Sequence, residues 1–110
     1  MIAVRITLDV LPEKQLELMQ TLFSLLKPVG REHGCKIYRT YLDIKDKTSF
    51  CLFEEWETCE DFEQHIKTLR FQVLLGTKPL LRKPPEIRIY TVSRTQGMEA
   101  VESIRNKDIL

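Results

Sequence analysis

The stretch Phe50-Cys51-Leu52-Phe53-Glu54-Glu55-Trp56-Glu57-Thr58 is where a strand hands over to a helix. Its residues are aromatic-rich and bounded by Asp46-Lys47 on one side and Thr58 on the other. Period-two geometry puts Phe50, Leu52, Glu54 and Trp56 on one face, and Cys51, Phe53 and Glu55 on the other. A carboxylate beside the only tryptophan, on an otherwise apolar face, suggests a pocket wall. The same pattern also fits a core-filling Trp56 with Glu54 at a frayed strand end. Thr58 is a natural N-cap, with Glu60, Asp61 and Glu63 at the positive end of the following helix. Phe62, Ile66 and Leu69 then fall at helical spacing, His65 shares their side, and Phe71 to Leu75 extends the same helix until Gly76.

Working outward from this stretch, Ile2, Val4, Ile6, Leu8 and Val10 alternate with smaller or polar residues, the pattern of a half-buried strand. Pro12 and Glu13 suit a first helical turn. Leu16, Met19, Phe23 and Leu26 mark an apolar stripe widened by Leu22 and Leu25, and Pro28 disrupts the helix near its end. A second strand over 35–44 turns through Asp43 to Thr48 into the third, and Ile87 to Val92 forms the last. The order βαββαβ predicts an α+β, ferredoxin-like domain over residues 1–94, one antiparallel sheet with two helices on one face. The tail, residues 95–110, contains an amphipathic candidate in which Met98, Val101 and Ile104 share a side; a docking helix and a frayed end both fit it. Strand three is apolar on both faces, yet two helices cover only one. A second copy of the sheet is the simplest cover, which predicts a homodimer with a cavity between sheets.

The balance of charges narrows the function classes. Seventeen basic and sixteen acidic residues are interspersed for a net charge of +1, which argues against a nucleic-acid surface. No run approaches the roughly 20 apolar residues of a membrane span, and the N-terminus has no signal-peptide pattern. Cys35, Cys51 and Cys59 lack CxxC spacing and fit reduced thiols in a cytoplasmic protein, with neither a disulfide frame nor a metal site. Cys35 and Cys51 read as small buried hydrophobes.

Three segments resemble the antibiotic biosynthesis monooxygenase superfamily, in the branch of quinol monooxygenases. Pro28-Val29-Gly30-Arg31-Glu32-His33-Gly34-Cys35-Lys36-Ile37-Tyr38, continued by Tyr41 and Asp43, is similar to its entry into the second strand. Glu54-Glu55-Trp56 with Phe62, His65 and Phe71 resembles its strand-to-helix signature, and Pro85-Glu86-Ile87-Arg88-Ile89 the start of its closing strand. The resemblance implies a dimeric α/β barrel with a pocket between sheet and helices. It also implies oxidation of quinol-like or other electron-rich aromatics by oxygen, with no metal, flavin or other cofactor.

Under that resemblance His65 and Glu54 are the candidate catalytic residues. His65 would exchange a proton near neutrality, while Glu54 would orient the imidazole or accept a proton itself. Trp56 and Phe71 would offer flat apolar surface to a ring, with Leu52 and Phe62 completing the wall. Tyr38 and Tyr41 have opposite parity, so only one of them faces the cavity. Tyr41 shares its face with Arg39, Ile37 and Cys35; an inward Arg39 would hold an anionic oxygen, an outward one would lie at a dimer interface or in solvent. Leu52 and Phe62 stand where anthrone-oxidising members carry Asn and Tyr. The first strand has no Asn of the kind that haem-degrading members use. Two other readings keep the fold: an isomerase that moves protons without oxygen, and a dimeric small-ligand-binding module whose tail recruits a partner.

Overall fold

The computed structural model describes residues 1–109. Strand β1 (Ile2–Asp9) leads through a 3-10 turn over Pro12–Lys14 straight into helix α1 (Gln15–Gly30). The hairpin β2 (Cys35–Leu42) and β3 (Ser49–Trp56) follows, then α2 (Cys59–Ile66), α3 (Leu69–Leu75), β4 (Glu86–Thr91) and α4 (Met98–Ile109). The four strands form one antiparallel sheet in the order β2-β3-β1-β4, so the architecture is α+β and ferredoxin-like.

Strand β1 is central and sorts the side chains of its neighbours. Ile2, Val4, Ile6 and Leu8 lie opposite Trp56, Glu54, Leu52 and Phe50 of β3, and directly opposed residues project to the same face. That face packs on Leu18, Leu22, Leu25 and Val29 of α1, Phe62 of α2, and Phe71 and Leu74 of α3. Each large side chain so buried stabilises the fold by about 1.5–3 kcal/mol before entropy is counted. The β2–β3 turn is held by the Asp43 carboxylate, which accepts from the backbone N–H groups of Lys45 and Asp46 at 2.7 and 3.1 Å.

The helices differ from their sequence pattern in three places. Helix α1 is apolar on two sides, and the side that faces the sheet is Leu18, Leu22, Leu25 and Val29. The stripe begun by Leu16, Met19 and Phe23 points outward, with Phe23 76% exposed. Helix α1 also continues through Pro28 to Gly30. Proline there forfeits one hydrogen bond near the end, while buried Val29 anchors the final turn and Arg31 N–H still reaches the Lys27 carbonyl at 3.2 Å. The expected single helix from Thr58 to Gly76 is two helices. Thr68, in an extended conformation, caps α3 by accepting from Phe71 N–H at 3.2 Å, and its hydroxyl donates to the His65 carbonyl at 2.7 Å. A threonine that bonds the backbone on both sides competes with the helical ladder and breaks it. In consequence Leu69 is 77% exposed, and Phe71 and Leu74 are the residues that turn inward.

Gly34 makes the entry to β2 with φ of +79°, and its carbonyl accepts from Glu57 N–H at 2.8 Å. A Cβ at this position would fall inside the Asp61 side chain on α2. Gly34→Ala is therefore expected to destabilise the fold by at least about 1–3 kcal/mol from backbone strain, with Asp61 displaced in addition. Urea unfolding would read this as a lower midpoint at unchanged slope; an unshifted midpoint would show that the β2 entry tolerates a side chain.

Candidate active site

The end of β3 and the inner face of α2 bring a carboxyl, an indole and an imidazole together. Thr58 starts α2 by accepting from Asp61 N–H at 3.1 Å, and that phase turns Phe62 and His65 toward the sheet. Glu54 is 0% exposed and His65 1%. The Trp56 indole N–H donates to Glu54 Oε1 at 2.9 Å, and the indole stacks on the His65 ring at 4.6 Å between centroids. Phe71 of α3 meets the imidazole edge-on at 5.4 Å, Tyr38 of β2 does so at 6.2 Å, and Phe62 lies tilted at 6.5 Å.

The two nitrogens of His65 face different partners. Nδ1 lies 3.0 Å from Glu32 Oε1, and the other Glu32 oxygen accepts from Arg70 Nε at 2.7 Å. A carboxylate already bound by a guanidinium favours the tautomer in which Nδ1 donates to it. That leaves Nε2 with a free lone pair, 3.8 Å from Glu54 Oε1, which is ion-pair range rather than a hydrogen bond. Both His65 Nε2 and Glu54 Oε2 are buried without a hydrogen-bond partner. Burial pushes the Glu54 carboxyl up to about 7, opposed by the Trp56 hydrogen bond and reinforced by the Glu32 charge. Burial also lowers His65, with Glu32 pulling the other way. A carboxyl and an imidazole whose affinities for a proton are drawn together, side by side out of water, can take up or release one proton near neutral pH. The Tyr38 hydroxyl is raised by burial and stays protonated. Cys35 is pushed up to about 11 by burial and by the nearby carboxylates, which favours the thiol over the thiolate; it and Cys51 are half-buried rather than fully enclosed.

Two openings flank this pair. An apolar cavity of about 240 Å³ lies between α3 and β4, lined by Ile6, Phe71, Leu74, Pro85 and Ile87 among others. Phe71 is the partition between its space and the imidazole. On the other side a polar cleft of about 320 Å³ is lined by Glu32, His33, Asp61, Gln64, Thr68 and Arg70. Among the described residues no group of three or more His, Cys, Asp or Glu is arranged to hold a metal ion.

The structure thus gathers His65, Glu54, Trp56, Phe62 and Phe71, with Leu52 two residues along the same face of β3. It separates Arg39 and Tyr41 from them. Both lie opposite Phe53 and Cys51, on the far face of the sheet, and Tyr38, opposite Glu54, is the tyrosine beside the imidazole. The cause is an irregularity in β2 between Cys35 and Ile37, where Lys36 is bulged out of register. It returns Cys35 to the face of Trp56 and Tyr38, so simple alternation along the strand assigns its two ends inconsistently. Glu32 and Arg70 belong to the cluster and have no signature of their own in the sequence. They lie 33 and 38 residues from their partners, and only the position of Glu32 just before the left-handed Gly34 ties it to the start of β2.

The raised Glu54 carboxyl has a consequence for stability. The folded chain holds this proton more tightly than the unfolded one. The Glu54 contribution is therefore whole below about pH 4.5 and is lost as pH rises through about 7. The lowered His65 contributes with the opposite sign, its share growing as pH rises toward 6.5. Glu54→Gln should remove a loss of about 3 kcal/mol across pH 4.5 to 7, leaving the His65 slope alone. Denaturant midpoints measured across that window would check it; parallel curves for the two proteins would mean that Glu54 ionises as freely as an exposed carboxyl.

Comparison with known proteins sets this site in context. The sequence profile of the antibiotic biosynthesis monooxygenases matches residues 1–75. An uncharacterized protein of Synechocystis sp. is 33% identical over 92 residues, covering 83% of this chain; the chain spans 63% of that relative's length. A conserved protein of Methanosarcina mazei superposes with a TM-score of 0.77 at 31% identity, covering 81% of this chain and 89% of that one. A Deinococcus radiodurans protein assigned to the antibiotic biosynthesis monooxygenases shares the fold with a TM-score of 0.82 at 21% identity, covering 88% and 97%. With the profile matched over more than half of its length, the chain belongs to the antibiotic biosynthesis monooxygenase family.

Proposed function

We propose that the protein is a cofactor-independent monooxygenase that oxidises a quinol-like or other electron-rich aromatic with O2. The observation that carries this reading is the Glu54–His65 pair, buried with unpartnered edges behind the Phe71 wall of an apolar cavity. A hydroquinone that loses a proton becomes electron-rich enough to reduce oxygen directly, and the reaction balances without an added reductant: hydroquinone and O2 give a hydroxyquinone and water. The protein's share is to bind the ring in this cavity, with Phe71 swung aside to bring it within hydrogen-bond reach of the His65 lone pair, and to take the proton there and from there on Glu54. Trp56 and Phe62 hold the imidazole flat, while Glu32 and Arg70 hold its tautomer.

A homodimer is part of the reading. The far face of the sheet presents Ile37, Arg39, Tyr41, Phe53 and Tyr90, and Tyr41 and Tyr90 are 49% and 44% exposed in the single chain. A second copy laid on that face would cover them, and Arg39 would then act at the interface and not on the substrate. The runner-up, a proton-moving isomerase, would use the same pair; Lys78 is the cationic residue lining the cavity, while Arg39 is turned away on the far face of the sheet.

Oxygen uptake with a panel of substituted hydroquinones and naphthohydroquinones tests the reading. Turnover should fall about 10²–10⁴-fold in His65→Asn and in Glu54→Gln, the usual size of a lost general base. Conversion that proceeds under strict anaerobiosis would transfer the site to the isomerase reading. Oxygen uptake undiminished in both variants would remove this pair from the chemistry.

A further inference from the structure

Helix α4 poses a physical problem that the single chain does not solve. It has 12 residues, Met98–Ile109, and packs to no appreciable extent on any other element. Met98, Val101 and Ile104 are 67%, 48% and 63% exposed along one side of it. A compact chain of this length has a radius of gyration of about 13 Å. This one has 16.7 Å and a long axis of 55 Å. An isolated helix shorter than roughly 12–15 residues is marginal in water, so α4 needs a surface to lie on.

The same chain carries a surface that needs a helix. Between α1 and β2 runs an open apolar groove of about 530 Å³, lined by Leu16, Met19, Phe23, Tyr41, Leu42 and Phe50 among others. This is the outward stripe of α1. From Leu16 to Leu26 it extends about 15 Å along the helix axis, and α4 itself is about 18 Å long. The groove lies at the β2 edge of the sheet, whereas α4 follows β4 at the opposite edge, and among the described residues α4 makes no appreciable contact with α1 or β2 of its own chain.

We propose that α4 of one copy lies in the α1–β2 groove of a second copy, and that the second copy returns its own α4 in the same way. Each chain carries both halves of this contact, so a twofold exchange covers both surfaces and closes. Any other partner for α4 would leave the groove exposed, and any other occupant of the groove would leave α4 unsupported. The arrangement is independent of the chemistry proposed for Glu54 and His65, and it compares with helix-in-groove recognition, with anchors at Met98, Val101 and Ile104.

The test is a cross-link in the full chain, in a background where the exposed thiol is removed by Cys59→Ser. Phe23→Cys and Val101→Cys are introduced together and singly, and mild oxidation is followed by a non-reducing gel, with circular dichroism to show that each variant is folded. A covalent dimer from the double variant, absent from either single variant, is the expected result. A dimer from Val101→Cys alone would mean that α4 pairs with α4. A double variant that loses both thiols while running as a monomer would mean that α4 folds back on its own chain. No cross-link at all would leave the groove to another occupant. Each of these three results overturns the proposal. Val101→Glu in the otherwise unaltered protein should raise the dissociation constant of the dimer about tenfold or more, the size expected for loss of one anchor; an unchanged constant would also overturn it.

Discussion

The whole arrangement depends on the parity of β1 and its register with β3. Val4 lies opposite Glu54, and Ile2 opposite Trp56, so the carboxyl and the indole share the face on which the helices pack. A slip of one residue would send Glu54 and Trp56 to the far face and bring Phe53 and Glu55 inward, leaving His65 with nothing to stack on. Five apolar residues from Ile2 to Val10, all buried on one side, make that slip costly. The register that holds the core is therefore also what holds the site. The two cannot be altered separately.

This explains what could be read from the residues and what could not. The alternation of β1 and β3 is strong, and from it follow the half-buried strands, a sheet covered on one face and a shared face for Glu54 and Trp56; that His65 comes within 3.8 Å of Glu54 could not be read from spacing. Readings failed where a local device overrode a period. Lys36 bulges and resets the parity of β2, so Tyr38 takes the place beside the imidazole and Arg39 and Tyr41 face away. Thr68 hydrogen-bonds to backbone on both sides and divides one expected helix in two. Helix α1 has two apolar stripes of equal periodicity, and nothing within a helix says which one meets the sheet. Glu32 and Arg70 were out of reach for a different reason: a contact across more than 30 residues between charged side chains leaves no periodic trace.

The geometry of the cluster orders it from interior to surface. Arg70 is 40% exposed, Glu32 10%, His65 1% and Glu54 0%, so charge is graded from the polar cleft inward. The guanidinium stabilises the Glu32 carboxylate, and Glu32 in turn holds one nitrogen of the imidazole. Among the described residues, the second nitrogen is then the basic atom nearest the buried carboxyl, at 3.8 Å. A histidine held in this way can exchange a proton with the cleft through Glu32 while its other edge addresses the interior, and the ring need not rotate. Trp56 and Phe71, packed on the ring's face and edge, oppose such rotation in any case.

Stability alone does not account for these residues. A buried polar atom without a partner costs about 1–3 kcal/mol, and this pair leaves two of them. A small domain has about 5–15 kcal/mol of net stability in all, so the pair consumes a sizeable part of it. Apolar side chains of similar volume would pack against Leu52, Trp56 and Phe62 at no such cost. The surrounding core is otherwise built of Val, Leu, Ile and Phe. The pair thus keeps a carboxyl and an imidazole unsatisfied in one of the most protected positions of the core, a cost that the function proposed for it would explain. The apolar cavity that Phe71 also lines lies beside the pair, and the proposed site draws on both.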